Sequence, residues 1–163
     1  TAPVSAYGHT ILVLLSSAPG AGAPARVLVG NNNLLQDSTT GGTRAVVIDT
    51  PDNNTNPQFD ATVINNTVSL TNANFAVAAM GISARQLSSA CMNISGNNVS
   101  VAALGVAAIL AQQDSPATAF LYGTGVDAAA VIAAGNPMST TEVSGTINLT
   151  AVPCQPPESP LPP

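Results

Sequence analysis

The sequence predicts an all-β chain folded as a right-handed parallel β-helix of about four coils, closed at its C-terminal end by a cap containing one short helix. Three observations predict it. Short alternating strands recur along the chain. A paired-asparagine signature recurs with them at near-constant spacing. The composition is almost devoid of charge but rich in small apolar and amide residues.

The repeat carries the most weight, because a period of 20–50 residues marks solenoids and related arrays. Segments Val27–Gln36, Thr62–Leu70 and Met92–Val101 share one pattern: a short alternating strand, a Gly/Asn-Asn-Asn/Thr corner, then a second alternating strand. Taking Asn32, Asn66 and Asn97 as equivalent, the spacings are 34 and 31 residues. A further strand follows each signature, at Thr43–Asp49, Val77–Arg85 and Leu104–Gln112, and an orphan copy opens the chain at Tyr7–Leu14. Each repeat therefore holds three short strands.

A sharp corner between strands calls for a residue that tolerates the left-handed backbone region, as Gly does freely and Asn better than most. If the corner recurs once per coil, the Asn side chains stack and hydrogen-bond along the ladder. Inward positions must then be aliphatic: Val29, Val63 and Ile94 before the corner, and Leu34, Val68 and Val99 after it. The Pro-, Gly- and Asn-bearing loops Ala18–Pro24 and Asp49–Phe59 should bulge from the coils. An antiparallel sandwich would also show short strands and turns, and is the competing architecture.

Helix signals concentrate in one place, Thr124–Pro137. Asp127 can cap, the Ala/Val/Ile run continues, Gly135 can end the helix and Pro137 prevents a restart. A strand is expected over Thr141–Val152, then a Pro-rich ending from Pro153, extended or disordered. The expected organisation is coils over residues 1–118, a cap over 119–154 and a Pro-rich tail over 155–163. Solenoids need such a cap to close the last rung.

Composition bounds the function. Charged residues make up 7% of 163, lysine is absent, and the formal net charge is −5. A basic footprint for nucleic acid or anionic lipid is missing, since the arginines are Arg26, Arg44 and Arg85 alone. The longest apolar run, Ile11–Leu15, is far short of a membrane span. At 45% hydrophobic residues the chain is too apolar for disorder up to residue 152. Thr1 at the start points to a chain processed or excised from a longer protein. The cysteines, Cys91 and Cys154, have no nearby His and do not form a zinc site. They are either two buried thiols or one disulfide closing a 64-residue loop, and the lysine-free polar composition tilts the reading towards an oxidising compartment and a bond.

The run from Cys91-Met-Asn-Ile-Ser-Gly-Asn-Asn through Ile109–Gln113, Ala119-Phe-Leu-Tyr-Gly, the Ala-rich helix, Asn136-Pro137 and Thr146–Cys154 resembles the C-terminal ends of right-handed parallel β-helix regions in large bacterial surface or secreted proteins. Gln112 stands where that pattern usually has Arg, and Arg85-Gln86 keeps the Arg-Gln pair one coil earlier. The resemblance covers about residues 25–154. It implies the fold and a secreted or cell-surface location, and it carries over no catalytic residue.

An enzyme is not expected. Glycosidic hydrolysis wants two carboxylates across a bond, and the chain's eight acids are dispersed: Asp37, Asp49, Asp52, Asp60, Asp114, Asp127, Glu142 and Glu158. Arg44 and Arg85 are expected one coil apart on one face beside Asp49, as solvated strand-edge charges. His9 has no second His or Cys partner in the sequence. The oxygen-rich set Asp49, Asp52, Asn53, Asn54 and Asp60 lacks the spacing of a known Ca²⁺ loop. No cofactor and no metal are expected. Five Asn-x-Ser/Thr sequons, at Asn53, Asn65, Asn93, Asn98 and Asn148, are what an Asn- and Thr-rich chain carries by composition.

The expected function is therefore structural: an extracellular solenoid that presents loops at a surface, or joins end to end into a stalk or filament. The apolar strand Ile11, Leu12, Val13 and Leu14 is the expected joint, meeting either a longer solenoid or a second copy by strand addition. The alternative is an adhesin-type module recognising a glycan or surface through loops around Asp49–Phe59. The aromatics Tyr7, Phe59, Phe75, Phe120 and Tyr122 look scattered, which counts against a sugar platform.

Overall fold

The computed structural model describes residues 10–15, 24–37, 44–50, 57–71, 78–102 and 107–155. Its strands are β1 (Ile11–Leu14), β2 (Ala25–Gly30), β3 (Asn33–Asp37), β4 (Val46–Asp49), β5 (Gln58–Ile64), β6 (Thr67–Thr71), β7 (Ala78–Ala84), β8 (Ser89–Ser95), β9 (Asn98–Val101), β10 (Ala107–Gln113), β11 (Thr118–Tyr122), β12 (Thr141–Ser144) and β13 (Ile147–Thr150). The helix α1 (Ala128–Gly135) lies between β11 and β12.

The strands form three sheets. Sheet A runs β1-β4-β7-β10-β12, sheet B runs β2-β5-β8-β11-β13 and sheet C runs β3-β6-β9. Every pairing is parallel, and each strand pairs with its equivalent one coil away. The chain thus climbs sheet B, sheet C, sheet A and repeats, a parallel β-helix of about four turns. The sandwich alternative falls with the strand direction, because it requires antiparallel neighbours.

Register explains why small apolar residues dominate. In sheet B one inward column is Phe59–Ala90–Ala119–Ile147, and the next is Val27–Ala61–Met92–Leu121–Leu149. Phe59, Ile147 and Met92 each have an alanine above or below them, so large and small side chains interdigitate in these coils without overpacking. In sheet A, Met80 and Ile82 lie over Ile109 and Ala111. These residues belong to one continuous core shared by the three sheets. The predicted inward residues Val29, Val63, Ile94, Val68 and Val99 are buried and fall into register, and Leu34 packs half-buried beside them.

The last coil differs. Its sheet C strand is replaced by α1, which buries Ala128 and Ile132 one helical turn apart. Asp127 Oδ1 accepts from Ala130 N at 2.8 Å, the predicted N-cap. The single strand expected over Thr141–Val152 is two strands, β12 in sheet A and β13 in sheet B. The break is Gly145, whose φ is +82°. A Cβ there would meet Gln113 O at 1.9 Å. Gly145→Ala should therefore cost of order 2 kcal/mol, read as a drop in the urea midpoint. An unchanged midpoint would mean that the corner can relax.

Candidate functional site

Three places gather the residues singled out by sequence. They are the asparagine corner between sheets B and C, the charged outer face of sheet A, and the outer face of sheet B under the C-terminal segment.

At the corner, the two asparagines of each signature divide the work. Asn31 and Asn65 take the left-handed backbone, both with φ of 56°, and Gly96 does so in the next coil with φ of 69°. The following residues, Asn32, Asn66 and Asn97, turn inward as a ladder. Asn32 Nδ2 donates to Asn66 Oδ1 at 2.9 Å, Asn66 Nδ2 to Asn97 Oδ1 at 2.9 Å, and Asn97 Nδ2 to Asn136 Oδ1 at 3.0 Å. Each backbone N–H donates to the same oxygen, at 3.1, 3.1 and 2.9 Å. The amide groups also reach carbonyls of the coil below: Asn66 to Val29 O, Asn97 to Val63 O and Asn136 to Ile94 O.

Asn136 is a fourth rung that the repeat spacing did not reveal. It follows the helix instead of a strand, so the strand–corner–strand pattern fails there. It caps α1 through its N–H to Ile132 O and Ala133 O, and ties the helix into the ladder. The sequence signal was the Asn136-Pro137 pair at the helix end.

On sheet A, Arg85 Nε lies 3.2 Å from Asp49 Oδ1 and 3.6 Å from Asp114 Oδ2. The Arg44 guanidinium covers Gly81, where a Cβ would lie 2.3 Å from Nη1. Burial lowers the Arg44 pKa; Asp49 works in the opposite direction and Arg85 adds to the lowering. These groups are a part-buried ionic layer over the sheet, where strand-edge solvation was expected. Neutralisation within the layer, with Arg85 between two carboxylates, suits holding coils together.

On sheet B, the outward residues Arg26, Asp60, Cys91, Phe120 and Asn148 stand in one register column across all its strands. The segment after β13 turns back over this column. Cys154 is bonded to Cys91, with the Cα atoms 5.4 Å apart. Gln155 N donates to Asp60 Oδ2 at 2.9 Å, and Arg26 Nη2 donates to Gln155 Oε1 at 2.7 Å. Residues Val152–Gln155 thus form a strap from the last coil towards the first. Beside the strap, over the sheet, is a wide-open cavity of about 310 Å³.

The remaining sequence candidates do not converge. In β1, Ile11 and Val13 pack against the core, whereas Leu12 and Leu14 face outward. His9, Asp52, Asn53 and Asn54 lie outside the described residues, as do most of the Asp49–Phe59 and Ala18–Pro24 loops. Asp49 and Asp60 sit on different sheets. Among the described residues no group of three or more His, Cys, Asp or Glu side chains could hold a metal ion. Of the sequon asparagines, Asn65, Asn98 and Asn148 are exposed and Asn93 is half-buried. No described helix is long and apolar enough to cross a membrane.

Comparison with known proteins finds no family model, no curated protein and no solved structure that matches this chain.

Proposed function

We propose that the chain is an extracellular structural solenoid that presents its faces and loops at a surface and joins end to end with further coils. The observation that carries this reading is the contrast between the two ends. At the C-terminal end the helix and the Asn136 rung take the place of a sheet C strand, so only β12 and β13 present edges there. At the other end β1, β2 and β3 are the outermost described strands of their sheets. Their outward leucines are exposed: Leu12 49%, Leu14 56%, Leu28 51% and Leu35 75%. A solenoid end with open strand edges and apolar side chains is a template for adding coils. The Cys91–Cys154 bond and the low charge support an oxidising, extracellular setting, in keeping with the resemblance to bacterial surface β-helix regions.

Electron microscopy together with mass in solution tests the proposal. The expected result is concentration-dependent association, with particles elongated along the stack axis. Leu12→Lys combined with Leu14→Lys should weaken the associated species, because the added strand would lie directly beside β1 and set two ammonium groups against its outward row. Both side chains face outward, so the fold itself should survive. A monodisperse monomer at every concentration, or association untouched by the double variant, would overturn joining through this end.

A further inference from the structure

We infer that the open cavity beside the C-terminal strap, over sheet B, is a binding site for a neutral saccharide, with Phe120 as its stacking platform. This goes beyond the structural reading and does not depend on it.

The walls have two characters. One side is apolar: the Phe120 ring, the Cys91–Cys154 bridge, Val152 and Pro153. The rest of the lining is polar: the Asp60 carboxylate, Thr150 and Gln155. A sugar ring has the same division, with C–H groups on its faces and hydroxyls around its edge. A volume of about 310 Å³ lies at the small end of the ~300–1,000 Å³ range of ligand pockets, the scale of a short saccharide rather than a macromolecule.

The platform is not a lone ring. Phe120 and Tyr122 alternate on β11 and face outward together, 39% and 37% exposed. Phe59, by contrast, is buried in the core, and Tyr7 and Phe75 lie outside the described residues; Tyr122 extends the platform along β11 beside Thr150, its register partner. Both rings bring apolar area with little conformational entropy to lose. Asn148 stands beside Phe120 in register and adds an exposed amide.

Charge selects the ligand class. Among the described residues no cationic side chain lines the cavity and one carboxylate does, which disfavours phosphate, sulfate and uronic acids. An amine would be drawn to Asp60 and to the Phe120 face. However, Arg26 is the register neighbour of Asp60 and already places positive charge beside that carboxylate. What remains is a neutral polyol with one apolar face. Asp60 Oδ2 is occupied by Gln155 N, so the strap both forms a wall of the cavity and orients the carboxylate.

Titration of the whole oxidised chain followed by backbone NMR tests the site. The probes are the methyl glycosides of glucose, galactose and mannose, their β-linked disaccharides, and propylammonium as the cationic control, each taken to about 100 mM to cover weak affinity. The expected result is saturable shifts confined to β8, β11, β13 and the strap with at least one neutral glycoside. Phe120→Ala should weaken binding roughly tenfold, the effect of one lost ring contact. Phe120→Trp should retain binding, which separates stacking from folding, and both variants should keep the wild-type amide spectrum away from the cavity. Asp60→Asn keeps an acceptor for Gln155 N and should bind with little loss. The inference is overturned if no glycoside shifts these residues, if Phe120→Ala binds as well as wild type, or if propylammonium alone saturates the site.

Discussion

Asn66→Ala should be among the most destabilising single substitutions in this chain, by about 3–5 kcal/mol. Asn66 is 1% exposed. Its Nδ2 donates to Val29 O, Ile64 O and Asn97 Oδ1, and its Oδ1 accepts from the backbone N and the Nδ2 of Asn32. Truncation leaves several of these groups unpaired where water does not reach, at about 1–3 kcal/mol for each group that finds no new partner. The orientation of the amide is forced, because Val29 O and Ile64 O can only accept. Asn66→Asp, with the same shape, would aim an oxygen at those carbonyls and should be at least as damaging as alanine. Position in the stack grades the effect. Asn97 has the same inventory, donating to Val63 O and Asn136 Oδ1 and accepting from Asn66, so Asn97→Ala should match Asn66→Ala. Asn32 lies at the open end and half-buried, with donors to Gly30 O and Asn66 Oδ1. Asn32→Ala should cost about 1 kcal/mol. Urea denaturation of the three alanine variants and the Asp variant reads the series. Equal losses at positions 32 and 66 would mean that the corner needs only its backbone shape and not the ladder.

The ladder shows how much of this molecule its sequence discloses. A solenoid repeats one local solution, so the residues that solve the corner recur at coil spacing, and Asn32, Asn66 and Asn97 could be read as equivalent. The inward columns followed, because alternation and parallel register fix which side chains stack. The division of labour within each pair was not legible: Asn31-Asn32 and Asn65-Asn66 are identical in type, and only Gly96-Asn97 hints that the first residue carries the left-handed backbone. Asn136 was hidden because a helix precedes it. Local reading also merged β12 and β13, since Gly145 inside a strand-like stretch can mark a bulge, a close approach or a corner, and only the Gln113 carbonyl decides which. The outer faces were least legible of all. Arg44 over Gly81, and Arg26, Asp60 and Phe120 in one column, come from register between coils about thirty residues apart, and such pairs carry no local signal. The strap was legible in its anchor and not in its course: the Cys91–Cys154 bond was the favoured reading and is present, but the contacts of Gln155 with Asp60 and Arg26 had no sequence signal. A Pro-rich ending reads as an extended or disordered tail, yet Cys154 is 3% exposed against β8.

That strap yields the second large effect. Cys154→Ser should lower stability by about 4 kcal/mol in the loop-entropy account of disulfides, given a separation of 63 residues between the bonded cysteines. The bond joins β8 to the segment that follows β13, so it closes a loop containing β9, β10, β11, α1, β12 and β13. In the unfolded chain this restricts the whole C-terminal half. In the folded chain it holds Gln155 where its N–H meets Asp60 and its side chain meets Arg26. Two results should separate these contributions. Arg26→Ala, with the bond intact, removes the surface hydrogen bond to Gln155 Oε1 and should cost under about 1 kcal/mol. Reduction of the wild-type chain with an excess of a dithiol, followed by alkylation of the freed thiols, should reproduce most of the Cys154→Ser loss and expose the strap to proteolysis. The coils themselves should persist, since the core columns and the Asn ladder do not depend on the bond, and far-ultraviolet circular dichroism should retain its β signal at moderate temperature. If the reduced and alkylated chain kept the urea midpoint of the oxidised one, the strap would be an ornament on a stack already closed by α1 and Asn136. If it lost all β signal, the helical cap could not close the stack unaided, and the bond would be what closes the last coil.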